Sequence, residues 1–138
     1  MSIKNSQFQV NTKGNTDIID ITQRVKNEVY KYNIKDGLVH IYVAGSTASI
    51  TAIEYEPGLI KDFPAILDKI APENDFYHHD DTWHDGNGHA HIRAAIIGNS
   101  FSVPLVDGAL QLGTWQQVVL VDFDNKPRVR TVSIQVID

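Results

Sequence analysis

Apolar and polar residues recur along this chain with two periods, one of strands and one of helices. Gln7 to Thr12 predicts a first strand, and the turn residues Asn11 through Thr16 end it. Ile21, Val25, Val29 and Tyr32 return at helical spacing, with Asp20 or Thr22 as the N-cap and Asn33 through Gly37 as the stop. Val39, Ile41 and Val43 alternate with His40, Tyr42 and Ala44, which is the period of a strand. Gly45-Ser46 interrupts it, and Ser49 to Tyr55 resumes the alternation. Leu59, Phe63, Ile66, Leu67 and Ile70 mark a second helix, in which Pro64 predicts a start at Phe63 with Asp62 as its cap, or a detached first turn. Residues 73 to 89 are rich in polar and turn formers and read as a long functional loop.

Three strands close the pattern: Phe101 to Val106, Gln116 to Phe123 and Arg128 to Val136. Asp124-Asn125-Lys126-Pro127 predicts a turn joining the last two as a hairpin. Helices and strands interleave irregularly, so the class is α+β with a mainly antiparallel sheet. At 138 residues the chain is one domain, 1–138. A chain of this size buries roughly two thirds of its unfolded surface. There is no run near the roughly 20 apolar residues of a membrane span and no apolar leader, so a soluble cytoplasmic protein is expected.

Composition removes several chemistries. There is no cysteine, so disulfides, thiolate metal sites and a cysteine nucleophile are excluded. The formal charge is −5, which argues against a nucleic-acid surface. Arg128 and Arg130 alternate in a strand and read as a solvated or interface-facing edge, and Asp124 reads as a turn residue. His40 reads as a structural histidine between apolar neighbours, and Trp115 as core.

Five of the six histidines, His78, His79, His84, His89 and His91, fall between residues 78 and 91, among Asp80, Asp81 and Asp85. Imidazole and carboxylate are ligands of divalent metals and proton carriers near neutral pH. His78 and His79 are neighbours, so one of them enters a shared site. His89 and His91 share a face only on a strand; on a helix they diverge by about 200°. Ala90, Ala94, Ala95 and a terminal Gly98 favour a short helix starting near Asn87 or Gly88. Gly86-Asn87-Gly88 before that helix, with Arg93 one turn in, suggests an anion cradle. Glu54 lies in an apolar strand, where a carboxylate needs either water or a purpose.

Three segments carry a family resemblance. Ser100 through Val118, with its Gly113-Thr114-Trp115-Gln116 turn, resembles the signature of the YjbQ-like family of secondary thiamine-phosphate synthases. Gly45 through Glu54 and Gly88 through Arg93 resemble that family's other two motifs, in the same order. The resemblance implies a YjbQ-like fold of two packed, mainly antiparallel sheets with two to three helices, assembled as a homotrimer through sheet contacts. It implies a site between the first motif, the histidine segment and the Gly-Thr-Trp-Gln turn, with Glu54, His79 and His91 at family positions. Many members open the first motif with His-Thr-Thr or His-Thr-Ser; here that place is Gly45, so His84 is the substitute imidazole expected from ligand counting.

The implied reaction condenses a pyrimidine pyrophosphate with a thiazole phosphate. It calls for a divalent metal (zinc, or magnesium or manganese) at His79, His84, His89 and His91. Phosphate would be held by Arg93, Ser46, Thr47 and the backbone near Gly88 or Thr114, with Trp115 shielding the site. Two rival expectations use the same residues. One is a metal-dependent hydrolase of a small phosphorylated substrate with Glu54 or Asp85 as base; the other is a trimer that binds metal or metabolite without turnover.

Overall fold

The computed structural model describes residues 1–138. Eight strands and four helices follow in the order β1 (Ile3–Thr12), β2 (Asp17–Asp20), α1 (Thr22–Tyr30), β3 (Gly37–Val43), β4 (Ala48–Glu54), α2 (Pro57–Ile70), α3 (His78–Trp83), α4 (Gly88–Ile97), β5 (Ser100–Val106), β6 (Ala109–Leu110), β7 (Gln116–Asp122) and β8 (Arg128–Ile137). The strands form two antiparallel sheets, one ordered β1-β8-β3-β5-β6 and the other β2-β7-β4. The α+β class and the two-sheet expectation hold, with one helix more than expected.

Strand parity explains the layers. Val39, Ile41 and Val43 of β3 and Val132, Ile134 and Val136 of β8 face inward, where they meet Val118 and Leu120 of β7 and Val25 and Val29 of α1. The other face of β7 carries Val119 and Val121, which with Phe123 pack against Leu67 of α2 and Ala90 and Ala94 of α4. Strand β7 is therefore buried on both faces, which is why its sequence runs apolar without alternation.

Several boundaries depart from the sequence reading. The hairpin expected at Asp124–Pro127 does not exist, because β7 and β8 belong to different sheets and the four residues carry the chain across. Helix α2 starts at Pro57, not Phe63: the Glu56 carboxylate accepts the N–H groups of Gly58 and Leu59, and Pro57 occupies the first turn, where its missing N–H costs nothing. Strand β2, a short edge on β7, was hidden by its turn-rich approach. The expected long loop contains α3, whose first turn holds Asp80 and Asp81 beside its free N–H groups.

Three crossings between the sheets, β1 to β2, β3 to β4 and β7 to β8, meet at one end of the sandwich. They are tied there by a buried ion pair. Arg130, 8% exposed, donates from Nε to Asp122 Oδ2 at 2.7 Å and from Nη2 to Asp122 Oδ1 at 2.9 Å. Asp122 also accepts Thr12 Oγ1 at 2.6 Å and the Asp124 N–H at 3.0 Å, so both its oxygens are satisfied. Arg130 is thus not on a solvated edge. It shares parity with Val132, Ile134 and Val136, and β8 lies between β1 and β3. Removing one member of a buried pair strands the other charge. Asp122→Asn is expected to cost about 3–5 kcal/mol of stability in urea unfolding, and an Asp122→Leu/Arg130→Met double variant less than the two single changes summed.

Candidate functional site

The sheet-crossing end opens into a cleft of about 380 Å³ lined by Gly45, Ser46, Thr47, His79, Trp83, Asp85, Asn87, His91, Asp124, Arg128 and Arg130. One wall is the β3–β4 crossing. Gly45 has φ +130°, and a Cβ there would lie 2.8 Å from Arg130 Nη1, so glycine is required for the guanidinium to lie over this turn. Thr47 Oγ1 accepts from Arg130 Nη2 at 2.6 Å and donates to Asp124 Oδ2 at 3.1 Å. Arg130 Nη1 alone has no hydrogen bond within the protein.

Asp124 is the hub of the floor. Its carboxylate accepts from Thr47, from Asn87 Nδ2 at 3.2 Å and from Arg128 Nε at 2.9 Å. Burial by itself would raise its pKa, but hydrogen bonds from Asn87, the Asn125 N–H, Arg128 and Thr47 outweigh burial and hold it below the usual carboxylate value. An ionised carboxylate only accepts, so Asn87 must turn its NH₂ toward Asp124 and its carbonyl toward His79. The Asn87 Oδ1 to His79 Nε2 distance is 3.1 Å, so Nε2 carries the proton and the lone pair is on Nδ1.

The opposite wall is built by α3 and the first turn of α4. The rings of His79 and His91 lie 4.0 Å apart between centroids, tilted by 44°. Asp85 Oδ1 is 3.4 Å from His79 Nε2. Burial, and then the neighbouring His79, lower the pKa of His91 below the ordinary 6.5, so it is neutral at pH 7. His79, Asp80 and Asp85 each bring a ligand atom within 4.8 Å of the others. One imidazole with two carboxylates suits manganese, zinc or magnesium. On the far side of the two imidazoles a second pocket of about 300 Å³ is lined by Phe76, Tyr77, His78, Gly88 and Ile92 as well.

The structure thus brings together Ser46, Thr47, His79, Asp85 and His91 from the sequence-predicted set, and leaves out the rest. His84 ends α3 in a left-handed conformation (φ 56°), is exposed, and does not line the cleft. His89 is 2% exposed and lies beneath Tyr77, ring centroids 6.5 Å apart, because helical geometry turns it away from His91. Arg93 is buried and spent on structure: it donates to Ala71 O at 3.0 Å, Thr16 Oγ1 at 2.9 Å and Asp68 Oδ1 at 2.6 Å. The N–H of Gly88 is taken by Asp80 Oδ1 at 3.0 Å, and a Cβ at Gly88 would lie 2.5 Å from the Tyr77 Cβ, so this glycine serves packing. Glu54 is exposed at the end of β4, and Thr114 and Trp115 sit in a turn outside the cleft. Trp115, 71% exposed, is neither core nor a shield over this cleft. His40 is on the outer sheet face, bonded through Nδ1 to Ser102 Oγ at 2.8 Å.

Asn87, Asp124, Arg128 and Arg130 were missed. The signal for the arginines was available, since they occupy the same parity as the core positions of β8.

The family model described as UPF0047 protein YjbQ-like matches residues 6–138. The chain belongs to the YjbQ-like UPF0047 family. A UPF0047 protein of Archaeoglobus fulgidus is 36% identical over 94% of this chain and 98% of its own length. The UPF0047 protein YugU of Bacillus subtilis is 34% identical over 93% of this chain and 95% of its own. Among solved structures, a YbjQ-like protein of unknown function from Sulfolobus solfataricus superposes with a TM-score of 0.92 at 31% identity, over 99% of this chain and 97% of that one. These matches extend the YjbQ-like assignment across both sheets and the cleft segments. No helix is long and apolar enough to cross a membrane.

His89 generates a pH prediction. Burial, and then the charge of Arg93, hold its pKa below 6.5, and its Nδ1 has no partner. The unfolded chain therefore binds a proton that the folded chain refuses, and stability falls as the pH drops from about 6.5 toward the depressed value. The urea midpoint should decline between pH 7.5 and 5.5, and His89→Leu should flatten that decline. An unchanged slope in the variant would assign the acid sensitivity elsewhere.

Proposed function

We propose that this YjbQ-like protein is a metal-dependent enzyme acting on a phosphorylated small molecule in the Arg130–His91 cleft. One observation carries the reading: a buried guanidinium keeps its Nη1 free at a cleft whose other wall is two adjoining imidazoles and a carboxylate. Arg130 Nη1 and the exposed Ser46 hydroxyl would receive phosphoryl oxygens, and Arg128, partly exposed, closes that side. His91, neutral at pH 7, is the group available to take a proton, with His79 held as an Nε2–H donor by Asn87. A divalent cation fits His79, Asp80 and Asp85, where it would supply charge neutralisation for a phosphorylated group. The flanking pocket of Phe76, Tyr77 and Ile92 suits the organic part of the substrate.

Within this class, the family resemblance favours transfer between a pyrimidine pyrophosphate and a thiazole phosphate. The His79–Asp85 contact supports hydrolysis of a phosphate ester as the second reading, because it sets a carboxylate 3.4 Å from an imidazole nitrogen in the same cleft. Purified protein assayed with manganese against both precursor pairs and a phosphate-ester panel separates the two readings. His91→Ala should lower kcat about 10²–10⁴-fold on whichever substrate turns over. No turnover of any phosphorylated compound would remove the enzyme reading in favour of a binding protein.

For the assembly we propose a homotrimer, as the resemblance implies. The outer face of β1, β8 and β3 carries a groove lined by Asn5, Ser6, Gln7, His40, Tyr42, Ser133, Ile134 and Gln135, which includes no Asp, Glu, Lys or Arg and suits a contact between copies. Light scattering should then give three times the chain's 15.4 kDa; a monomer would overturn this.

A further inference from the structure

Charge within the cleft does not favour an anion by itself. Arg130 is matched by Asp122 and Arg128 by Asp124, whose carboxylate is also 3.8 Å from Arg130 Nη2. Asp85 is left over on the facing wall, with no arginine or lysine partner: its Oδ1 is 3.4 Å from His79 Nε2, and Asp80 brings a ligand atom within 4.8 Å of it. Two guanidiniums therefore stand among three carboxylates, and Asp80, beside His79, adds a fourth. Yet Arg130, more than nine-tenths buried, keeps an unused donor at the cleft, and Gly45 gives up its side chain to leave it there. The lining itself sets two arginines against Asp85 and Asp124; with Asp122 on Arg130 and Asp80 beside His79, a built oxyanion donor sits among more carboxylates than guanidiniums.

We infer that the cleft binds a divalent cation and an oxyanion as a mutually dependent pair, the cation at His79, Asp80 and Asp85 and the oxyanion at Arg130 Nη1 and Ser46. This rests on the phosphoryl reading above and specifies its charge state: the ligand enters as a metal–oxyanion pair, not as a free anion. The cation removes the repulsion between Asp85 and the oxyanion, and the oxyanion supplies the cation with further oxygen ligands. Coupling of this kind is reciprocal, so each ligand must tighten the other by the same factor.

Titration calorimetry on the full chain tests it, with manganese(II) alone, inorganic phosphate alone, and each in the presence of the other. Phosphate should bind at least tenfold more tightly with manganese present, and manganese should gain the same factor from phosphate. Asp85→Asn, at an exposed position, removes the excess charge; phosphate should then bind without metal at least threefold better than to the parent protein, and the manganese enhancement should disappear. Gly45→Ala pushes on Arg130 Nη1; it should weaken phosphate at least tenfold while manganese alone binds as before. Equal phosphate affinity with and without manganese would overturn the coupling and leave the phosphoryl reading intact. Failure of phosphate to bind under any condition would sink both. Enhancement that survives Asp85→Asn would place the cation elsewhere and overturn the assignment.

Discussion

The bidentate contact between Asp122 and Arg130 holds the end of the molecule where everything of chemical interest is found. Asp122 is the last residue of the central strand of the small sheet, and Arg130 is near the start of a central strand of the large one. Seven residues of chain lie between them, enough to cross from one layer to the other. A buried ion pair is weak evidence of net stability, since desolvation offsets much of the attraction. Its value here is geometric. It fixes the guanidinium plane, and through Thr47 it fixes the turn that follows β3. An aliphatic pair would fill the space but leave no donor facing the cleft.

From that anchor the order of the site propagates by hydrogen bonding in one direction. Asp124 accepts from Thr47, Arg128 and Asn87, Asn87 is thereby oriented, and its carbonyl selects the tautomer of His79. A carboxylate on the β7–β8 crossing thus determines which nitrogen of an imidazole on α3 holds a proton. Networks of this type are rigid when complete and costly when a single member is lost.

The general class of the fold was legible because inward positions of β3 and β8 alternate cleanly and α1 repeats at helical spacing. The hairpin reading of Asp124–Pro127 failed because turn chemistry reports that a chain reverses, not which sheet receives it. The helix at Pro57 was obscured by Pro64, which forfeits one bond without ending the helix. At the candidate site, crowding of histidines pointed to a segment that borders the cleft but not to the members that face it. The periodicity of α4 already required His89 and His91 to part, and only His91 reaches the cleft. Arg93 was misread since a guanidinium near a helix start looks the same in sequence whether it faces a ligand or the carbonyl of Ala71. The acidic and arginine residues of β7 and β8 were readable from parity, but only if a charged residue on a core-facing row is taken as a message and not as an edge.

Strand β8 lies between β1 and β3, with Ile3 opposite Ile137 and Val39 opposite Val136. Residues 3–12 therefore have no sheet partner, and residues 37–43 are paired along one edge only, to β5, until residues 128–137 exist. During synthesis both strands wait with unpaired backbone edges and apolar inner rows, the condition in which strands pair with the wrong neighbour. Contacts this distant in sequence also make for slow closure. The cleft comes into being only with that last strand, so no nascent chain shorter than about Arg130 can form it, and cellular yield should depend on how well the waiting edges are shielded.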